Sequence, residues 1–162
     1  MNITYREYTA SDNDLLLSLT TKLDQYVKTL DPLKRIQLRP GFSELSLQDT
    51  LKDVRDHNGK IWFAVDSERL VGYIAGVIGD QSQKNKLEIG EHKLGEVLEI
   101  YLEEEYRSQG IGKTMLQMME DYFKSHGCDS IWIDLFIHNT QALNAYRKFG
   151  FADRNVGMLK EI

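Results

Sequence analysis

Residues 107 to 113 read Arg107-Ser108-Gln109-Gly110-Ile111-Gly112-Lys113, where a strand-like run meets a helix-like one. Glycine lacks Cβ, so the backbone at such a junction lets a ligand come close. A helix start adds unpaired N–H groups and a partial positive charge. The combination suits a phosphate or pyrophosphate. A plain strand-to-helix turn would also use glycine, and the loop alone does not separate the two readings. Two known phosphate loops fail here. A P-loop needs glycine where Arg107 stands, although Gly112-Lys113-Thr114 match its end. The dinucleotide fingerprint fails at Met115. Both mismatches count against an ATP-binding fold.

Other reactive side chains carry weaker signals. Glu96 and Glu99 lie on one long strand and could take a proton from an attacking group. They have opposite parity, so an ideal strand points them to opposite faces, and a bulge would change that. Glu103, Glu104 and Glu105 read as a solvated turn. Cys128 is the single cysteine, which excludes an internal disulfide and a cysteine-rich metal site. It follows His126-Gly127, where a helix should end, and reads as structural. His57, His92, His126 and His138 lack metal-ligand spacing, and His138 reads as a surface residue.

These residues need elements to position them. Ile3 to Tyr8 alternates as a first strand. Ser11 or Asp12 is placed to cap a helix over Asp14 to Leu30, ended by Asp31-Pro32. Residues 33–42 read as irregular, and Ser46 is placed to cap a second helix through Asp56. Lys60 to Asp66 and Leu70 to Ile78 read as a hairpin, after a turn at Asn58-Gly59. Gly79 to Lys93 reads as a loop, Leu94 to Leu102 as a long strand and Gln109 to Ser125 as a helix. Ile131 to Ile137 reads as a strand. Asn139 or Thr140 opens a short helix closed by Gly150, and one or two short strands should end the chain. The order βααβββαβαβ implies an α/β fold: one central sheet with helices on both faces.

The wider pattern, Arg107-x-x-Gly110-x-Gly112, resembles the central motif of the GNAT N-acetyltransferase superfamily. Asn139-x-x-Ala142-x-x-x-Tyr146, closing on Gly150-Phe151, is similar to that superfamily's last helix. Glu104 stands where the family often has proline, and little chain follows Phe151, so the usual final hairpin must be short. The resemblance implies a mostly antiparallel mixed sheet with a splayed strand pair. It implies acetyl-CoA as co-substrate and no metal. The N–H groups of Gln109, Gly110, Ile111, Gly112 and Lys113 would hold its pyrophosphate, with Thr114 nearby and Arg107 opening the loop. Ile100, Tyr101 and Leu102 would pair by their backbone with the pantetheine arm. Asn139 would lie near the pantetheine or adenosine, or serve as a helix cap.

Tyr146 would protonate the departing thiolate, unless its ring only fills the core. Glu99 would face the acceptor as a carboxylate base, with Glu96 the alternative. The implied reaction is direct attack by a primary amine of a small molecule or a peptide. A noncatalytic acyl-CoA sensor is the alternative. Dimers are common among similar proteins, which leaves a homodimer open.

Length and charge set the frame. The 162 residues fit one domain, 1–162, and 41% hydrophobic residues argue for a folded chain. A net charge of -5 disfavours nucleic acid and mildly favours a cationic or neutral acceptor. The start Met1-Asn2-Ile3-Thr4 has no apolar leader, and no run of membrane-spanning length is visible. The expectation is a cytoplasmic protein without a membrane partner.

Overall fold

The computed structural model describes residues 2–161. Five strands form one sheet in the order β1-β2-β3-β4-β5. They are β1 (Ile3–Glu7), β2 (Lys60–Asp66), β3 (Arg69–Gly79), β4 (Leu94–Leu102) and β5 (Ser130–Ile133). Neighbours are antiparallel except β4 and β5, which run parallel. The helices are α1 (Asn13–Leu30), α2 (Phe42–Asp56), α3 (Gln83–Ile89), α4 (Ile111–Ser125) and α5 (Thr140–Phe149).

β3 is buried on both faces, which explains its near-continuous apolar run. On one face, Leu16 and Leu19 of α1 and Leu47 of α2 pack over Phe63, Tyr73 and Ala75. On the other, α4 sets Ile111, Met115, Met119 and Phe123 at helical spacing over Val71, Ile74 and Val97. Tyr146 of α5 joins this second core.

Several boundaries differ from those read in the sequence. α2 begins at Phe42, because the Pro40-Gly41 turn runs straight into it with Gly41 left-handed at φ 86°. Ser46 therefore lies inside the helix rather than at its cap. Neither Ser11 nor Asp12 caps α1 by its side chain. Asp12 instead takes both guanidinium nitrogens of Arg6 at 2.8 Å each. The stretch 79–93 contains α3, started by Ser82, whose Oγ accepts the Asn85 N–H at 3.2 Å. β5 stops at Ile133, four residues short of the expected end. No strand follows Phe151 among the described residues. There Asp153 is held by Arg147 of α5.

Gly95 fixes how closely α4 approaches β4. A Cβ there would sit 2.4 Å from the Phe123 ring. Gly95→Ala should therefore cost about 1–3 kcal/mol of unfolding free energy, the scale of an overpacked core. Denaturant unfolding measures it, and an unchanged midpoint would mean that Phe123 can yield.

Candidate active site

β4 pairs with β5 only from Leu94 to Val97. Its other edge stays on β3 as far as Leu102. From Leu98 onward the edge towards β5 has no strand partner among the described residues. The break coincides with a bulge: Gly76 pairs with Val97 and Ala75 with Glu99, leaving Leu98 extra. An extra residue bends and twists its strand.

The bulge also corrects the parity argument for the glutamates. Opposed residues on paired strands share a face. Ala75, the partner of Glu99, packs in the core under α1 and α2. A Cβ on Gly76 would strike Met119 of α4 at 2.8 Å, so Val77 and its partner Glu96 face the α1 and α2 side. Glu96 and Glu99 thus lie on the same face.

Glu99 is anchored there by neutral donors. The Tyr73 hydroxyl donates to one oxygen at 2.5 Å, and the Thr50 hydroxyl donates to the other at 2.7 Å. Burial pushes the Glu99 carboxyl up, and the two hydroxyls only partly oppose this. Thr50 and Tyr73 do not stand out in the sequence. The available signal is a threonine on the inner Leu47, Leu51, Val54 face of α2, and a tyrosine inside an apolar strand. Glu99 and Leu98 form one wall of a pocket of about 320 Å³ beneath α2.

The glycine loop follows β4 through a short turn, Glu104–Tyr106. Glu103 is not solvated as expected. It is buried, ion-paired with Lys22 and bonded by the Tyr101 hydroxyl at 3.1 Å, while Glu104 and Glu105 are exposed. Gly110 is left-handed at φ 86° and precedes the first residue of α4 without a side-chain cap. The Thr114 N–H reaches the Gly110 carbonyl at 3.0 Å. The N–H groups of Ile111, Gly112 and Lys113 precede that first helical bond. A Cβ on Gly110 or Gly112 would meet nothing within 4 Å. Gly110 is required by its φ; Gly112 is required by no contact in this chain. Such a cradle fits a phosphate group.

Of the remaining residues, Arg107 reaches the end of β4. Gln109 donates to the Glu105 carbonyl at 2.6 Å, and the Thr114 hydroxyl donates to Gly110 at 3.3 Å. Arg107 turns back, its Nε donating to the Leu102 carbonyl at 2.9 Å and its guanidinium 4.7 Å from the Tyr26 ring centroid. Ile100 and Leu102 pack towards α4, and Tyr101 towards α1. Asn139 caps α5, its Oδ1 accepting the Ala142 N–H and the Tyr26 hydroxyl at 3.2 Å each. Tyr146 is buried, with its ring 5.9 Å from that of Phe151. Burial, and then Tyr26, push its hydroxyl up to about 12. Cys128 is half-buried against the α4 side and its thiol is raised by burial; His138 is exposed.

Residues 27–151 match the model of the acetyltransferase (GNAT) family. That is more than half of the chain, and the chain belongs to this family. An N-alpha-acetyltransferase from Sulfurisphaera tokodaii is 26% identical over 137 residues, spanning 84% of this chain and 78% of that protein. A mutant of the BH1408 protein from Bacillus halodurans aligns with a TM-score of 0.80 at 18% identity, covering 98% of this chain and 99% of that one. A Clostridium acetobutylicum protein, described as a predicted acetyltransferase and solved with acetyl-CoA, aligns with a TM-score of 0.75 at 18% identity. That match covers 99% of this chain and 96% of that one. The mixed five-stranded sheet with helices on both faces is the fold of these structures. The family assignment agrees with the resemblance in the two sequence motifs, and its chemistry is acetyl transfer from acetyl-CoA. Among the described residues, no helix is long and apolar enough to cross a membrane.

A raised Glu99 binds its proton more tightly folded than unfolded. Its contribution to stability is present below the ordinary glutamate value of about 4.3 and is lost as pH rises through the raised value. Glu99→Gln keeps an acceptor for Tyr73 and removes the charge. The variant should match or exceed the wild-type melting temperature at neutral pH, with the gap narrowing towards about pH 4. A gap independent of pH would mean that Glu99 titrates like an exposed carboxylate.

Proposed function

We propose that this chain moves an acetyl group from acetyl-CoA to a primary amine of a small molecule or a peptide by direct attack. The observation that carries this reading is the edge of β4 beyond Val97, unpaired among the described residues, which runs from Glu99 towards the glycine loop. Backbone groups of Ile100, Tyr101 and Leu102 would align the pantetheine arm along that edge. The N–H groups from Gln109 to Lys113 would bind the pyrophosphate, helped by the α4 dipole. Asn139 and Arg107 border the same cleft.

The amine must attack as a neutral nucleophile, although its ordinary pKa is near 10.4. Glu99 takes its proton, directly or through a water; Glu96, on the same face, is the alternative base. The amine nitrogen forms a C–N bond with the acetyl carbon as the C–S bond breaks. Tyr146 then supplies the proton that the leaving sulfur needs. Support for Glu99 comes from its raised carboxyl, closer to the working pH than an exposed glutamate. Support for Tyr146 comes from its burial in the core cluster against which Ile100 and Leu102 of β4 also pack.

Two experiments test this. Acetyl-CoA should raise the melting temperature by mass action. Gly112→Val should abolish most of that shift while remaining folded, since no atom of the chain opposes its side chain. A folded Gly112→Val protein with undiminished acetyl-CoA binding would remove the loop as the phosphate site.

Tyr146→Phe keeps the ring and removes the proton. It should lower kcat by roughly tenfold to a thousandfold, with KM for acetyl-CoA and melting temperature little changed. An unchanged kcat would exclude the acid role, and a large loss of stability alone would assign Tyr146 to packing.

A further inference from the structure

The pocket beneath α2 combines apolar walls with uncompensated negative charge. Phe42, Leu45 and Leu98 supply the apolar surface, and Asp49, Asp53 and Glu99 supply the carboxylates. Asp49 and Asp53 are four apart on α2, which puts them on one face of the helix. Thr50, between them, bonds Glu99 and so fixes this helix against β4. No lysine, arginine or histidine lines the pocket among the described residues.

None of the three carboxylates belongs to an ion pair among the described residues, whereas many other acids of the chain do. Lys52, next in sequence to Asp53, is drawn off to Asp56 at 2.9 Å. Asp24, which adds to the negative field at Glu99, is itself bonded by the Ser43 hydroxyl, at 2.6 Å. Buried and half-buried charges are ordinarily matched by a counter-charge. Here Glu99 is held by two neutral hydroxyls, and no cation among the described residues pairs with it.

We infer that the acceptor is a diamine or longer polyamine, one nitrogen reacting beside Glu99 and a second, as an ammonium, held by Asp49 and Asp53. The inference rests on the acetyl-transfer reading and names its substrate class. A pocket of about 320 Å³ lies at the small end of ligand sites, the size of a short chain rather than a folded partner. The apolar walls match the methylenes between two nitrogens. The paired aspartates, one exposed and one half-buried, match the nitrogen that stays protonated. A simple monoamine offers only the reacting nitrogen and leaves both aspartates without a partner.

The test compares diaminobutane with butylamine, which differ by one terminal ammonium. Thiol release gives kcat/KM for each, and calorimetry gives their binding to the whole chain independently of turnover. Wild type should prefer the diamine by at least about thirtyfold, mainly through KM, and added salt should erode that preference. In Asp49→Asn/Asp53→Asn the ratio should fall to within about threefold. Asp49 is exposed and Asp53 half-buried, and asparagine keeps the shape of both, so folding should survive; circular dichroism checks it. Glu88→Gln on α3 removes a remote charge and should leave the ratio as in wild type.

Equal use and equal binding of the two amines by wild type would overturn the proposal while leaving acetyl transfer intact. A double variant that still prefers the diamine would overturn the assignment to Asp49 and Asp53. Failure to bind acetyl-CoA would instead remove the underlying reading. If acetyl-CoA binds and neither amine is acetylated, calorimetry decides: tighter binding of the diamine supports the proposal, and equal or absent binding overturns it.

Discussion

One extra residue in β4 governs the site. Up to Val97 the strand is paired on both edges; at Leu98 the register with β3 slips by one. The same slip marks the last contact with β5. A bulge increases local twist, and a straight parallel neighbour cannot follow a strand that turns away. The edge of β4 is thereby released for another extended chain. The slip also reverses which side chains face α2. Without it, Glu99 would lie on the face of Val97 and Gly95, under α4, where a Cβ already strikes Phe123. The cleft and its carboxylate therefore share one cause.

The partners of Glu99 follow a different logic from those of other buried acids. Glu103 is paired with Lys22, and Asp12 with Arg6. A cation fixes a carboxylate in its charged form and lowers its affinity for a proton. Asp12 is held well below the usual range for this reason. Glu99 has only hydroxyl donors, which orient it without a counter-charge. Burial then prevails and its proton affinity rises. A structural carboxylate would gain from a lysine or arginine at this point; a base would be disabled by one.

The parts legible in the sequence are those whose signals are local. The β2–β3 hairpin, all of β4, the glycine loop and α5 with its Asn139 cap lie where alternation, Gly110 and Gly150 put them. What depends on tertiary contacts does not show. The bulge at Leu98 has no glycine or proline to announce it, and parity alone sets Glu96 and Glu99 apart. Ser46 is a good cap in isolation, while Pro40-Gly41 has already begun α2. Glu103 looks like one of three solvated charges because its partner, Lys22, is distant in sequence. Family resemblance implies roles for the loop and for Tyr146, which spacing alone does not assign.

For the acid role proposed for Tyr146, burial would both oppose and permit catalysis. A phenol raised to about 12 is a poor donor to a thiolate whose affinity stays near the aqueous value of about 8.5. The gap of roughly 3.5 units would cost about 5 kcal/mol. Yet the sulfur could accept this proton only by lying against the same hydroxyl, within the apolar walls that bury it. Those walls desolvate a thiolate as they desolvate a phenolate, and both affinities rise together. The gap that matters is the difference between two groups in one environment, which stays closer to the aqueous difference of about 1.5 units. Burial also keeps water from competing for the thiolate. In the proposed mechanism Tyr146 would thus be suited as an acid only for a leaving group that shares its enclosure, beside Tyr26, whose ring Arg107 covers and whose hydroxyl bonds Asn139.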